Sequence, residues 1–325
     1  MDQLFLFANI APLSDAAPDA APAAAGPKAV DEPDPVQPGL FDARLAQLRA
    51  VRLAIAAGQL DGARSLLASL EPGPDLDVTS TRERISEIVA ELGHAEAQPT
   101  QDRAVALAGL ARVLAAHREP WSGLGRTLLR RAAHALEGEL DATAGRLYLE
   151  SGDIDRARDV LTEMLSRARS ATLLFALGDV ETRRGDRTSA RRCYRDALLL
   201  DPFDAAFEET LDDEVRGLVD VAETEVEVES EPCAWAAAVG MVAGILVPPT
   251  KLPVFSEPVG LAPIAGEAIR RMRQFVRALS LTVHSRTEVD AKSIVEARRI
   301  MKSASPALFA YYMARRAPTW PPTRN

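Results

Sequence analysis

A short pattern of small and bulky residues occurs twice in this 325-residue chain, as SGDIDRARDVL at 151–161 and as RGDRTSARRCY at 184–194. In both copies a Gly-Asp pair is followed by an Ala five residues after the Gly, and by a bulky residue four positions further. This spacing is typical of a turn followed by one buried face of a helix. The pattern therefore predicts a helical unit that recurs along the chain and stacks on its own copies.

Apolar residues at helical spacing predict further helices on both sides of this phrase. The first predicted helix runs from Phe41 to Gly58, a short second one buries Ala63, Leu67 and Leu70, and a third begins with a capping box from Ser80 to Glu83. Six more are predicted at 102–117, 121–136, 138–150, 154–168, 171–184 and 187–200. Because the connections are short, consecutive helices should be antiparallel. One more helix, over 206–223 and with Leu211 on its buried face, is expected to continue the stack.

Composition agrees with closely packed helices. Hydrophobic residues make up 47% of the chain and aromatic residues only 5%, so small and aliphatic side chains must fill most of the core. Only four of the 38 basic residues are lysine, and this arginine bias indicates a GC-rich bacterial genome. The net charge of −9 argues against a general nucleic-acid-binding protein.

Residues 171–203 resemble a tetratricopeptide repeat. The positions that carry the resemblance are Leu177, Gly178, Gly185, Asp186, Ala190, Tyr194, Ala197 and Pro202. The resemblance is strongest over 138–203 and extends more weakly over 41–223, where Gly58 begins an earlier copy of the phrase. It implies an all-α fold, an α-α superhelical solenoid in which Gly178 and Ala190 are small so that paired helices approach closely.

The same resemblance implies a partner, since such repeats generally hold a segment of another protein on their concave surface. Some family members grip a C-terminal carboxylate with an asparagine that follows the family's Gly. Arg146 and Asp179 stand at that position here, so that particular ligand is not carried over. Glu181 also replaces the usual aromatic residue. A solenoid that only joins two ends of the chain remains an alternative.

The N-terminal segment QLFLF resembles the pentapeptide with which many bacterial DNA-processing proteins bind the replicative sliding clamp. The resemblance implies a hydrogen-bonding role for Gln3 and pocket contacts for Leu4, Leu6 and Phe7. A related piece, QPGLF, lies at 37–41 and also starts the first predicted helix. The sliding clamp is therefore one possible partner.

The residues outside the repeats fall into three segments. Residues 1–39 are rich in Ala, Pro and Asp and predict a disordered arm. Residues 224–262 hold an acidic stretch, an apolar run at 233–247 and a proline-rich loop. That run is shorter than a span across a bilayer requires, and it predicts a buried helix ended by Pro248 and Pro249. Residues 263–325 form a basic region with predicted helices at about 263–283, 288–303 and 305–316, which resembles no family.

Charge is unevenly distributed over the last third of the chain. Residues 208–231 contain eleven acidic residues and one Arg, whereas residues from 267 onward contain twelve basic and four acidic ones. One interpretation is that the two segments pair within the fold or form solvated faces. The other is that the basic end binds phosphate through Arg270, Arg273 and Arg277. Tyr311 and Tyr312 could likewise stack on bases or belong to a helical cap.

No pattern in the sequence specifies an enzyme. The two cysteines and four histidines have no metal-ligand spacing, so neither a metal nor a cofactor is expected. The N-terminus lacks a positively charged region typical of a secretory signal, which favours a cytoplasmic protein away from membranes. The leading hypothesis is a non-enzymatic protein-interaction scaffold. The alternative is an accessory factor in DNA replication or repair that binds the sliding clamp and contacts nucleic acid through its basic end.

Overall fold

The computed structural model describes residues 40–70, 78–139, 142–204, 207–250, 262–284 and 291–316. Contacts divide the chain into two units, Met1–Ala43 and Arg44–Asn325, and the fold described here is that of the second. The described residues form helices and no strands, which confirms the all-α fold class. The disordered arm predicted at 1–39 lies outside the described residues.

In the described residues, nine α-helices precede residue 207. They are α1 (Leu40–Ala56), α2 (Leu60–Ala68), α3 (Val78–Glu96), α4 (Thr100–Ala115), α5 (Trp121–Ala135), α6 (Thr143–Glu150), α7 (Ile154–Arg167), α8 (Ala171–Arg184) and α9 (Arg187–Leu200). Two predicted starts are wrong. Ser80 lies inside α3 rather than capping it. The helix predicted from 138 begins at Thr143, because the amide of Glu139 bonds to the carbonyl oxygen of Leu136 in a turn.

The repeated phrase forms the turn between two helices in both copies. Gly152 and Gly185 have φ angles of +84° and +82°, a left-handed conformation that glycine adopts without a steric penalty. The next residues, Asp153 and Asp186, cap α7 and α9 by accepting a hydrogen bond from the backbone amide three positions later. Gly58 repeats the left-handed turn between α1 and α2, with a φ angle of +76°.

The same repeat governs how the paired helices pack. A Cβ atom on Gly145 of α6 would lie 2.4 Å from the side chain of Leu161 on α7. A Cβ atom on Gly178 of α8 would lie 2.4 Å from the ring of Tyr194 on α9. Both distances are far below van der Waals contact, so glycine is required for each close approach. The pairs α6–α7 and α8–α9 are therefore two consecutive copies of one packed unit.

The prediction of one helix over 206–223 is wrong. The structure has a 3₁₀ turn at Phe207–Glu209, short helices α10 (Asp213–Arg216) and α11 (Leu218–Asp220), and a π-helical turn at Val221–Glu225. Asp179 of α8 accepts hydrogen bonds from the amide of Leu211 and the hydroxyl of Thr210, which holds these residues outside a helix. Leu211, expected to be buried, has 39% of its surface exposed.

Four more helices complete the described residues: α12 (Pro232–Ala243), α13 (Pro263–His284), α14 (Ala291–Ala304) and α15 (Pro306–Arg316). The apolar run forms α12 as predicted, and Trp235 in it is fully buried. Gly244, with a φ angle of +80°, ends this helix before Pro248 is reached, so the predicted stop is wrong. Among the helices that the structure describes, none has the length and apolar character to cross a membrane.

Helix α8 contributes to two hydrophobic clusters. Val180 belongs to the cluster built by α1 to α7, whereas Phe175 belongs to the cluster that joins α9 to the C-terminal helices around α12. Phe175 and Tyr194 are both fully buried, with ring centroids 5.1 Å apart. Because one helix packs into both clusters, α8 is held firmly on two sides, and the candidate site lies on one of its remaining faces.

Candidate protein-binding cleft

A cleft of about 440 Å³ is lined by residues of α4, α6 and α8, together with Glu209 and Leu211. Charged side chains dominate its lining, and each of the three helices contributes an arginine. The charged residues that line it are Arg112, Arg146, Glu150, Asp179, Arg183 and Glu209. The cleft is therefore an ionic surface suited to a polar or charged partner.

Two of the three arginines are paired across the cleft. Arg112 of α4 donates two hydrogen bonds to the carboxylate of Glu150 on α6, with Nε to Oε1 at 2.9 Å and Nη2 to Oε2 at 3.0 Å. This bidentate contact raises the pKa of Arg112. Arg146 of α6 donates to Glu209 at 2.5 Å. These pairs connect neighbouring elements of the stack and neutralise most of its local charge.

Asp179 is a buried carboxylate with three hydrogen-bond donors. Its Oδ1 atom accepts from the hydroxyl of Tyr194 at 2.7 Å, and from the hydroxyl of Thr210 and the amide of Leu211 at 2.9 Å each. Burial raises the pKa of Asp179, and the donors partly offset that cost by favouring the ionised form. Asp179 stands one repeat after Arg146, at the position where some tetratricopeptide-repeat proteins have a ligand-binding asparagine.

Arg183 is the third arginine of the cleft, one helical turn beyond Asp179 on α8. Its side chain is exposed, and its guanidinium makes no ion pair or hydrogen bond with the residues that the structure describes. An exposed guanidinium at the edge of a cleft has five donors with which to bind an incoming carboxylate. Arg183 thus provides the cleft with an anion-binding group.

The basic C-terminal residues are placed on helix ends within the fold. Arg273 donates to the carbonyl oxygens of Leu199 and Leu200 at the end of α9. Arg271 donates to the last carbonyl of α14, and Arg315 to that of α12. Such contacts satisfy carbonyl groups that a helix leaves without partners, and they complement its dipole. These arginines therefore have a structural role.

The predicted nucleic-acid-binding residues occupy different environments. Arg270 is exposed and donates to Glu267 at 2.6 Å, Arg273 caps α9, and Arg277 is exposed. Tyr312 is only 4% exposed, and Arg315 lies 4.7 Å from the ring centroid of Tyr311, as in a helical cap. Nucleic-acid binding through these arginines stays a prediction.

Acidic residues of the segment 208–231 are paired within the fold. Most of their partners lie outside the basic C-terminal region. Glu214 accepts hydrogen bonds from Arg187 and Arg191 of α9. Glu229 accepts from the hydroxyl of Ser305 and from the amide of Ala307, at the start of α15. These contacts support the intramolecular alternative for the acidic residues, with α9 as a principal partner.

Several predicted residues lie outside the described part of the chain or away from the cleft. The clamp-binding candidates Gln3, Leu4, Leu6 and Phe7 lie outside the described residues. Within the described ranges, no group of three or more His, Cys, Asp or Glu side chains could hold a metal ion. Cys193 and Cys233 are free thiols.

Cys193 should react slowly with alkylating reagents in the folded chain. Burial raises the pKa of its thiol to about 11, so the reactive thiolate at pH 8 is roughly a hundredfold scarcer than for an unperturbed cysteine. We expect iodoacetamide to modify Cys193 at least tenfold faster in urea than in buffer, as followed by mass spectrometry. Equal rates would show that the fold does not protect this half-buried thiol.

Comparison with protein-family models, curated proteins and solved structures gives no significant match. Function is therefore inferred from the residues and geometry of the cleft itself.

Proposed function

We propose that this protein is a non-enzymatic adaptor, built on tetratricopeptide-like repeats, that binds a segment of another protein in the cleft between α4, α6 and α8. The repeated close packing at Gly145 and Gly178 supports the assignment to this kind of repeat. The free thiols of Cys193 and Cys233 favour a reducing compartment, and we propose the cytoplasm.

The observation that carries this proposal is the exposed guanidinium of Arg183, which has no ionic partner among the described residues. In the same cleft Arg112 is paired with Glu150, and Arg146 with Glu209, so these two cleft arginines are already neutralised. A partner carboxylate can bind Arg183 without first breaking either of these ion pairs. The remaining carboxylate, that of Asp179, is buried and already accepts three hydrogen bonds, so the exposed Arg183 favours a partner segment that carries negative charge.

Site-specific photo-crosslinking in cells tests this function. We expect a photoreactive amino acid at Thr143, an exposed residue of the cleft, to give adducts of discrete mass with a partner protein. The same group at Ser166, an exposed residue of α7, should not give them. Arg183→Glu should reduce the Thr143 adducts by roughly tenfold, which corresponds to about 1.4 kcal/mol of binding free energy.

The control positions decide the outcome. Identical adducts from Thr143 and Ser166 would indicate non-specific collisions. No adduct at Thr143, or adducts unaffected by Arg183→Glu, would contradict binding in the cleft.

A further inference from the structure

Residues 207–212, which we call the strap, lie across α8 at the edge of the cleft. Phe207 packs its ring edge-on against Phe175, with centroids 5.6 Å apart. Beyond it, Glu209 pairs with Arg146, while Thr210 and Leu211 donate to Asp179. The strap thus contacts the helices of two consecutive repeats, α6 and α8.

The strap also borders two open spaces. Leu211 lines the cleft already described and a second one of about 430 Å³, which lies toward Arg187. Adjacent residues of α8 line the two spaces, Arg183 on one side and Thr182 on the other. Leu211 of the strap therefore borders both spaces.

The strap binds the two repeats through both its backbone and its side chains. A backbone amide and a hydroxyl bind one buried carboxylate, and a side-chain carboxylate binds one arginine. On the receiving side, Arg146 and Asp179 occupy equivalent positions of two repeats, and both face the strap. The bonds therefore show which chemistry these two positions recognise: an acidic residue followed by a hydroxyl and a main-chain donor.

We propose that residues 209–211 are a built-in occupant of the binding site, and that the partner is an acidic segment of the Glu-hydroxyl-apolar kind that displaces them. This inference rests on the proposed function and extends it: binding at Arg183 alone leaves both ion pairs of the cleft intact, and displacement of the strap then exchanges Glu209 for a carboxylate of the partner at Arg146. Arg183, next to the displaced residues, would add a further contact to a second acidic group of the partner.

The ends of residues 209–211 are exposed, whereas the middle is anchored. The side chain of Glu209 is 64% exposed and Leu211 is 39% exposed, but Thr210 is fully buried and its carbonyl oxygen accepts two hydrogen bonds from Arg216. Release of the strap therefore costs free energy, and the strap occupies the site in most molecules. Helix α8 beneath it is fixed by two hydrophobic clusters and can keep its shape when the strap leaves. The strap lowers the apparent affinity for a partner. That affinity equals the affinity of the open site multiplied by the fraction of molecules in which the site is open.

A peptide of the strap's own sequence, FEETLDDE, is the probe for this proposal. The change Glu209→Ala with Leu211→Pro removes the carboxylate and the amide that hold the strap, and it leaves Arg146 and Asp179 unchanged. In the full chain, we expect this double variant to bind the fluorescein-labelled peptide at least tenfold more tightly than the unchanged protein does. Adding Arg146→Ala should remove the gain, whereas adding Arg192→Ala on α9 should not.

Fluorescence anisotropy gives the affinities, and a peptide of the same composition in scrambled order should not bind. If circular dichroism shows that the double variant has lost helix, Glu209→Ala alone replaces it, because that exposed side chain can be removed without unfolding. For this single variant we expect a severalfold gain in peptide affinity. Peptide binding that is equal in the unchanged and released proteins, or undetectable in both, overturns the proposal.

The two proposals fail separately. If the released variant does not bind the peptide while Thr143 adducts still depend on Arg183, only the role of the strap is overturned. If the peptide binds as expected but no partner is crosslinked at Thr143, the strap remains an occupant of the site and the adaptor function is overturned.

Discussion

Replacing Asp179 with alanine should lower the free energy of unfolding by about 3 kcal/mol. The change leaves the amide of Leu211 and the hydroxyl of Thr210 without their acceptor. Thr210 is fully buried, so water cannot readily replace the lost bond. Because burial raises the pKa of Asp179, the loss of its desolvated charge offsets part of this cost. Urea titration followed by circular dichroism measures the result.

Asp186→Ala is the matched control for this change. Asp186 is an exposed carboxylate that caps α9 by accepting from the amide of Ser189, so its removal should cost only about 1 kcal/mol. If both variants lose the same stability, Asp179 does not organise a buried network as described.

Gly178→Ala should lower the free energy of unfolding by about 2 kcal/mol. The added methyl group would lie 2.4 Å from the ring of Tyr194, which is fully buried and bonded through its hydroxyl to Asp179. The ring therefore has little freedom to move aside. Overpacking of this kind costs about 3 kcal/mol at the upper end of its usual range, and alanine regains about 1 kcal/mol in helix propensity.

Gly109→Ala provides the opposite expectation at a second helical glycine. Gly109 lies within α4, and a Cβ atom there would have no neighbour within 4 Å among the described atoms. Alanine should therefore stabilise the protein by about 0.5–1 kcal/mol through helix propensity alone. A Gly178→Ala variant as stable as Gly109→Ala would contradict the close approach of α8 to α9.

The sequence predicts the repeat helices well where their ends are encoded locally. The predicted spans 154–168, 171–184 and 187–200 match α7, α8 and α9 to within one residue. Asp153 and Asp186 begin α7 and α9 directly after the left-handed Gly152 and Gly185, and Ser170 begins α8, so each start is marked by one or two adjacent residues. Such ends can be recognised without knowing what the helices pack against.

The segment over 206–223 could not be predicted in this way. Its apolar spacing is compatible with a helix, but Thr210 and Leu211 bond to Asp179, which lies far earlier in the chain on α8. Periodicity contains no information about that tertiary contact. Apolar spacing alone therefore predicts a helix where the structure has the strap and two short helices.

The sequence also gives only part of the candidate cleft. Arg146 and Asp179 can be found because the repeat puts them at equivalent positions of two consecutive units. Arg112 and Glu150 are far apart in the chain, and their ion pair depends on how α4 packs beside α6. The importance of Arg183 is not visible in the sequence either, because exposure alone does not show that the neighbouring arginines are paired.

The central claim is that a partner binds in the cleft, and calorimetric titration tests it most directly. The full chain is titrated with the partner segment recovered from the Thr143 adduct. Arg183→Glu and Arg192→Glu make the same charge change on exposed residues, one in the cleft on α8 and one on α9. We expect Arg183→Glu to weaken binding at least tenfold and Arg192→Glu to leave it within twofold of the unchanged protein. Binding that is unaltered by Arg183→Glu, or weakened equally by both changes, would contradict a binding site in this cleft.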